Sequence, residues 1–215
     1  MTYHVPDLIE EIKIALDQNA SSATLATEGD IDTLTLDELI RSKIEPAARI
    51  VETQAPRHLL DSGKAFGGTI GWRGEIGKGS GVIHLPDDFM RLVTFKMSDW
   101  ERPVVEAIDE TDPRYELQGS RYGGIRGNIQ KPVVVITQQP IGQVLEFYSC
   151  IGGSSVTLSR ARYIPYPKIG TDDGIEICEK LKKAVVHYAA YMVAITTGEA
   201  ELASALQAMT TELMK

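Results

Sequence analysis

The sequence predicts an α+β protein of 215 residues: N-terminal helices, a central, mostly antiparallel β region with long glycine-rich loops, and a C-terminal antiparallel helical hairpin. Three observations predict it. Apolar residues recur at helical spacing at both ends of the chain, and the middle third changes to a period of two. Helices and strands are segregated, where a doubly wound parallel sheet would alternate them. With no internal repeat, the chain reads as a single domain over 1–215: helices at 1–56, the β region at 57–170 and the hairpin at 171–215.

The elements follow in order. Leu8, Ile9, Ile12, Ala15 and Leu16 mark a first helix, with Pro6 where the first turn tolerates a missing N–H. Residues 19–32 are polar and turn-rich and read as a linker. Thr35-Leu36-Asp37-Glu38 has the form of a capping box. It opens a second helix with an apolar stripe of Leu36, Leu39, Ile40, Ile44, Ala47, Ala48 and Val51. Pro46 interrupts that stripe and predicts a kink or a break, and Pro56 marks the end.

In the β region, Val93, Phe95 and Met97 alternate with Thr94 and Lys96, as in a half-buried strand. A turn at Ser98-Asp99 leads to a second strand at 103–106, and another strand lies at 82–85. Thr111–Leu117 reads as a short helix with Pro113 early in it. Val133–Thr137 and Val144–Tyr148 flank a five-residue loop, Gln138 to Gly142, and predict a hairpin. The C-terminal helix carries Leu181, Ala184, Val185, Tyr188, Tyr191, Met192 and Ile195 on one stripe, after the acids Asp172, Asp173, Glu176 and Glu179. Gly198 is placed as its left-handed C′ residue. The last helix follows with Leu202, Ala205, Leu206, Met209 and Leu213, and the short link makes the pair antiparallel.

Composition narrows the function. No apolar run approaches the roughly 18 residues of a membrane-spanning helix, and the acidic N-terminus lacks the order of a secretory signal. Two cysteines, Cys150 and Cys178, are too few for a disulfide scaffold and read as reduced thiols, so an intracellular setting is expected. The net charge of −8 is uneven: −7 over 1–56, +2 over 57–170 and −3 over 171–215. That balance argues against a free-standing nucleic-acid binder, which would carry a basic footprint. It fits a solvated surface, or an acidic face past which a polyanion slides.

Catalytic patterns are absent. Before Gly77-Lys78, a P-loop would need glycine where Trp72 stands and a hydroxyl where Gly79 stands. No serine has the Gly-x-Ser-x-Gly spacing. His4, His58, His84 and His187 are scattered, so no metal or cofactor is expected. The cysteines read as small core residues, although Cys178, beside a helix start, is a candidate for a lowered pKa.

Of 19 glycines, 12 fall in two stretches, 61–81 and 119–128. The first carries Phe66, Trp72, Arg73 and Lys78, the second Arg121, Tyr122 and Arg126. The stretches are either flexible surface loops or loops that order against a partner. The second alternative makes those seven residues the candidate contacts, because aromatics and arginine dominate interfaces.

Leu85-Pro86-Asp87-Asp88-Phe89-Met90-Arg91-Leu92, followed by Trp100-Glu101-Arg102-Pro103-Val104, resembles a pattern in tailed-bacteriophage neck proteins, the head–tail connector or tail adaptor family. Lys131-Pro132 entering a strand and the ending Tyr188-Ala189-Ala190-Tyr191 through Thr197-Gly198-Glu199-Ala200 are similar as well. The resemblance implies a non-enzymatic virion component, made in the bacterial host cytoplasm, that assembles as a homo-oligomeric ring, commonly of twelve. The implied partners are copies of itself, the portal and tail proteins, and genome DNA that passes without sequence-specific binding; no membrane is involved. The alternative is a module that recognises a host or cell-surface ligand through the aromatic glycine-rich loops, with a small enzyme as the least supported reading.

Overall fold

The computed structural model describes residues 1–16, 35–73, 79–120, 122, 124–140, 142–151 and 155–215. The expected linker at 19–32 lies outside them. The fold is α+β, and the chain divides into two compact units, Met1–Asp61 with Tyr166–Lys215, and Ser62–Pro165.

The first unit is mostly helical. Helix α1 (Val5–Ala15) starts on Pro6, keeps Asp7 in its first turn and Lys13 in its last, and buries Val5, Leu8 and Ile12. The strand before it, β1 (Thr2–His4), pairs antiparallel with a late strand, Gly174–Glu176. Helix α2 (Leu36–Gln54) begins on the expected capping box: Glu38 N–H donates to Thr35 Oγ1 at 3.3 Å, and Thr35 N–H donates to Glu38 Oε2 at 2.8 Å. Pro46 does not break it. A proline inside a helix costs about 3 kcal/mol. Ile44 and Val51 are both fully buried on the same stripe, and that burial contributes roughly 3–6 kcal/mol.

Helix α4 (Lys182–Thr197) stops at Gly198, which sits at φ 85° in the left-handed region, and α5 (Ala200–Leu213) returns against it. The buried face of α4 matches the expected stripe at its N-cap, Leu181, and at Ala184 and Val185, and departs from it beyond them. Ala189, Ala190, Val193 and Ala194 are buried, whereas Tyr188, Tyr191 and Met192 are half-buried and Ile195 is exposed. The helix packs against α1, α2 and α5 together, and close approach on several sides selects small residues and moves large ones to the flank. On α5 the buried residues are Ala203, Leu206 and Thr210, with Ala205 and Met209 exposed.

The second unit holds two sheets. One has the order β2-β9-β5, from Lys64–Ala65, Leu158–Pro165 and Phe89–Met97. The other has the order β3-β4-β8-β7-β6, from Gly71–Arg73, Ser80–His84, Gly142–Tyr148, Val133–Gln139 and Ile108–Asp109. Every pairing is antiparallel except β6 with β7. The short helix α3 (Pro113–Leu117) follows β6, capped by Asp112, whose side chain accepts from Arg114 N–H. The core gathers Ile83, Phe89, Phe95, Met97, Trp100, Leu145, Phe147 and Tyr163.

Three local expectations need correction. Strand β5 does not alternate throughout, because the register shifts between Leu92 and Thr94; Val93 is half-buried while Thr94 is buried. The strand expected at 103–106 is a single bridge between Phe95 and Val104, since Pro103 has no N–H with which to extend the ladder. The β7–β8 ladder runs on to Gln139 opposite Gly142, so the loop is two residues, not five. Gly142 at φ 118° supplies the turn geometry that other residues resist.

Candidate functional site

The seven candidate contacts start from the two glycine-rich stretches. Lys78 and Arg121 lie outside the described residues. Phe66 is half-buried against the core of its own unit: its ring centroid lies 5.7 Å from Tyr163, 6.3 Å from Phe89 and 6.4 Å from Phe95. Trp72 stands opposite Gly81 on β4, and its ring meets Phe147 edge-on at 5.5 Å. A Cβ at Gly81 would lie 2.6 Å from Phe147 Cζ, so only glycine lets the two rings meet across that strand.

Arg73 follows Trp72 and so projects from the other face of the sheet. Its Nη1 donates to Glu146 Oε1 at 2.6 Å. Glu146 is a buried carboxylate with only 8% of its side chain exposed, and it also accepts from the Tyr148 hydroxyl at 2.6 Å and from Gln139 Nε2 at 3.4 Å. Burial, then the Glu146 carboxylate, pushes the Tyr148 hydroxyl pKa upwards. This network holds Arg73 within the chain.

Tyr122 is 57% exposed, and its carbonyl accepts from the N–H groups of Ile125 and Arg126 at 3.0 and 3.2 Å. Arg126 is half-buried. The structure therefore does not bring the described candidates together. Phe66 and Trp72 face the core, Arg73 faces Glu146, and Tyr122 points outwards beside the exposed Ile125.

Five of the described glycines, Gly63, Gly71, Gly79, Gly81 and Gly127, are close approaches, whereas Gly67 and Gly124 meet nothing within 4 Å. At Gly79, a Cβ would fall 1.5 Å from the Cys150 carbonyl oxygen, and at Gly127 it would fall 2.7 Å from Ser149 Oγ. Both stretches therefore close on the end of β8, where Ser149 itself holds φ 104°. Cys150 N–H donates to Gly79 O at 2.9 Å, and Gly127 N–H donates to the buried Gln118 Oε1 at 2.9 Å.

Several titratable groups are committed to structure. Burial pushes the Cys150 and Cys178 thiols up to about 12, which overturns a lowered value for Cys178. Burial outweighs its position at a helix start, and the nearby Glu52 adds to the rise. Glu52 itself accepts from Cys178 N–H at 2.6 Å, and burial raises its carboxyl pKa. A cleft of about 500 Å³ beside β6 and β7 is lined in part by Asp109 and Glu110. Asp109 accepts from the hydroxyl and N–H of Thr111 at 2.6 and 2.8 Å, which holds it below the usual carboxylate range, and Glu110 accepts from Gln138 N–H.

Sequence reasoning missed the Arg73–Glu146–Tyr148 network and a cationic row formed by Lys96, Arg160 and Arg162. The visible signal for the row was Arg160-x-Arg162, two residues apart in a strand and therefore on one face. No family model matches the chain, and no curated protein matches it significantly.

Proposed function

We propose that this chain is a non-enzymatic structural subunit of a tailed-phage virion, a copy in a ring that sits between portal and tail and forms part of the DNA passage. The observation that carries the reading is the segregation of charge between the two units. The mainly helical unit has 10 basic and 19 acidic residues, a net of −9, and the β unit has 12 and 11, a net of +1. A duplex must move through such a ring without being held. An acidic wall repels phosphates, whereas a basic wall binds them and makes passage salt-dependent. The helical hairpin adds support, because Tyr188, Tyr191 and Met192 are only half-buried and Ile195 and Met209 are exposed, an apolar band suited to a neighbour. The resemblance in 85–104 and 188–200 points the same way.

The test is assembly on a portal. Purified protein is mixed with a portal ring and imaged by electron microscopy. A closed ring stacked coaxially on the portal is expected. A chain that never joins a portal, and instead captures a cell-surface ligand through Tyr122, would establish the recognition-module reading in its place.

A further inference from the structure

The outer face of the β5–β9 pair carries an arrangement that the fold alone does not require. Lys96 stands directly opposite Arg160, and Arg162, two residues along, stands opposite Thr94. Like charges directly opposed on adjacent strands repel. Among the described residues neither Lys96 nor Arg160 has an ion pair; Lys96 Nζ reaches only the Glu101 carbonyl, at 3.5 Å. Arg162 is fixed by donating to Ser62 O at 2.8 Å and Gly63 O at 2.9 Å. The two arginines sit about 6.6 Å apart along the strand at the ordinary rise per residue. An external anion would relieve this repulsion.

The same chain carries a matching surface. At the corner between α4 and α5, Ile195 is 55% exposed, and Glu199 and Glu201 are exposed on either side of Ala200. Neither acid has an ion pair among the described residues, and both follow the last turn of α4, which carries the exposed Ile195. We infer that the α4–α5 corner of one copy docks on the Lys96–Arg160–Arg162 face of the next, with Glu199 and Glu201 against the cations and Ile195 at the contact. The two surfaces differ, so the contact is head-to-tail, and repetition with closure generates a ring. The inference rests on the proposed ring role and supplies its contact chemistry.

The experiment is sedimentation velocity on the full chain over a concentration series, at about 50 and about 500 mM salt, where screening of exposed charges differs strongly. Self-association is expected at low salt and should weaken at least about tenfold at high salt. The doubles Lys96→Glu/Arg160→Glu and Glu199→Lys/Glu201→Lys each lose association by a similar factor while circular dichroism stays unchanged. An equimolar mixture of the two doubles regains it, because each altered surface then meets its complement; a folding defect gives no such rescue. Association that ignores all four substitutions overturns the inference and leaves the ring role standing. A monomer under every condition overturns both. Binding of a short DNA duplex that Lys96→Glu/Arg160→Glu abolishes, with association untouched, assigns the face to nucleic acid and overturns the inference.

Discussion

Trp72 lies edge-on to Phe147 across the bare backbone of Gly81, with ring centroids 5.5 Å apart. The indole thus fills the space that glycine leaves on β4, and it ties the β3 edge of the sheet to the aromatic core through Phe147, itself 5.9 Å from Phe95. Trp72→Ala is expected to destabilise the protein by about 2–4 kcal/mol, a little under the usual cost for a fully buried tryptophan. Gly81→Ala should cost about 1–3 kcal/mol by overpacking. Gly79→Ala should cost more, because its obstruction is the Cys150 backbone and its φ is +34°. Urea unfolding followed by tryptophan fluorescence measures all three.

Arg73 and Glu146 are predicted to couple. Arg73 is 49% exposed and solvent screens its end of the pair, while Glu146 is buried. Arg73→Ala leaves a buried carboxylate with one partner fewer and should destabilise by about 1–3 kcal/mol. Glu146→Gln should reduce that effect, because no charge is then stranded. A double-mutant cycle that gives no coupling would sink the assignment.

Glu52 gives a pH dependence whose sign is opposite to that of most carboxylates. Its pKa in the folded state is raised by burial. The folded state therefore binds the proton more tightly than the unfolded state, and stability falls as pH rises from the ordinary carboxylate pKa through the folded one. Glu52→Gln keeps an oxygen to accept from Cys178 N–H and removes the charge. The variant should be more stable than the parent at pH 8, and the difference should vanish near pH 4. Thermal midpoints across that range check the sign.

The two thiols are predicted to be inert in the native state. With pKa values pushed up to about 12 by burial, only about one thiol in ten thousand is ionised at pH 8, and the thiolate is the reactive form. Titration with a chromogenic disulfide should be slow in buffer and rapid for both cysteines in urea. Fast native labelling of Cys178 would contradict the burial account.

Much of the fold is legible in the sequence because it depends on local chemistry. Thr35 and Glu38 cap a helix by their own hydrogen bonds, and Gly198 ends one by its own backbone freedom. What escaped depended on distant partners. Tyr188, Tyr191 and Met192 look like a core stripe by spacing, yet α4 meets three helices and buries its alanines instead. Pro46 looks like a break until the burial of Ile44 and Val51 is weighed against it. The candidate contacts escaped for the same reason: Phe66, Trp72 and Arg73 look available as long as Tyr163, Phe147 and Glu146, up to about a hundred residues away in sequence, are out of view.

The meeting of Gly79 and Gly127 on either side of Ser149 and Cys150 sets a rule for how this sequence can diverge. Gly79 cannot acquire a side chain while the Cys150 backbone keeps its place, whereas at 127 the nearest obstruction is the Ser149 hydroxyl, with Val133 Cβ and Cγ2 at 3.1 Å beside it. A compensating change is available at one point. Ser149→Gly removes the hydroxyl nearest a Cβ at 127, leaving only Val133 at 3.1 Å to give slightly, and also relieves the φ of 104°. Relatives that have lost glycine at position 127 should therefore carry it at 149.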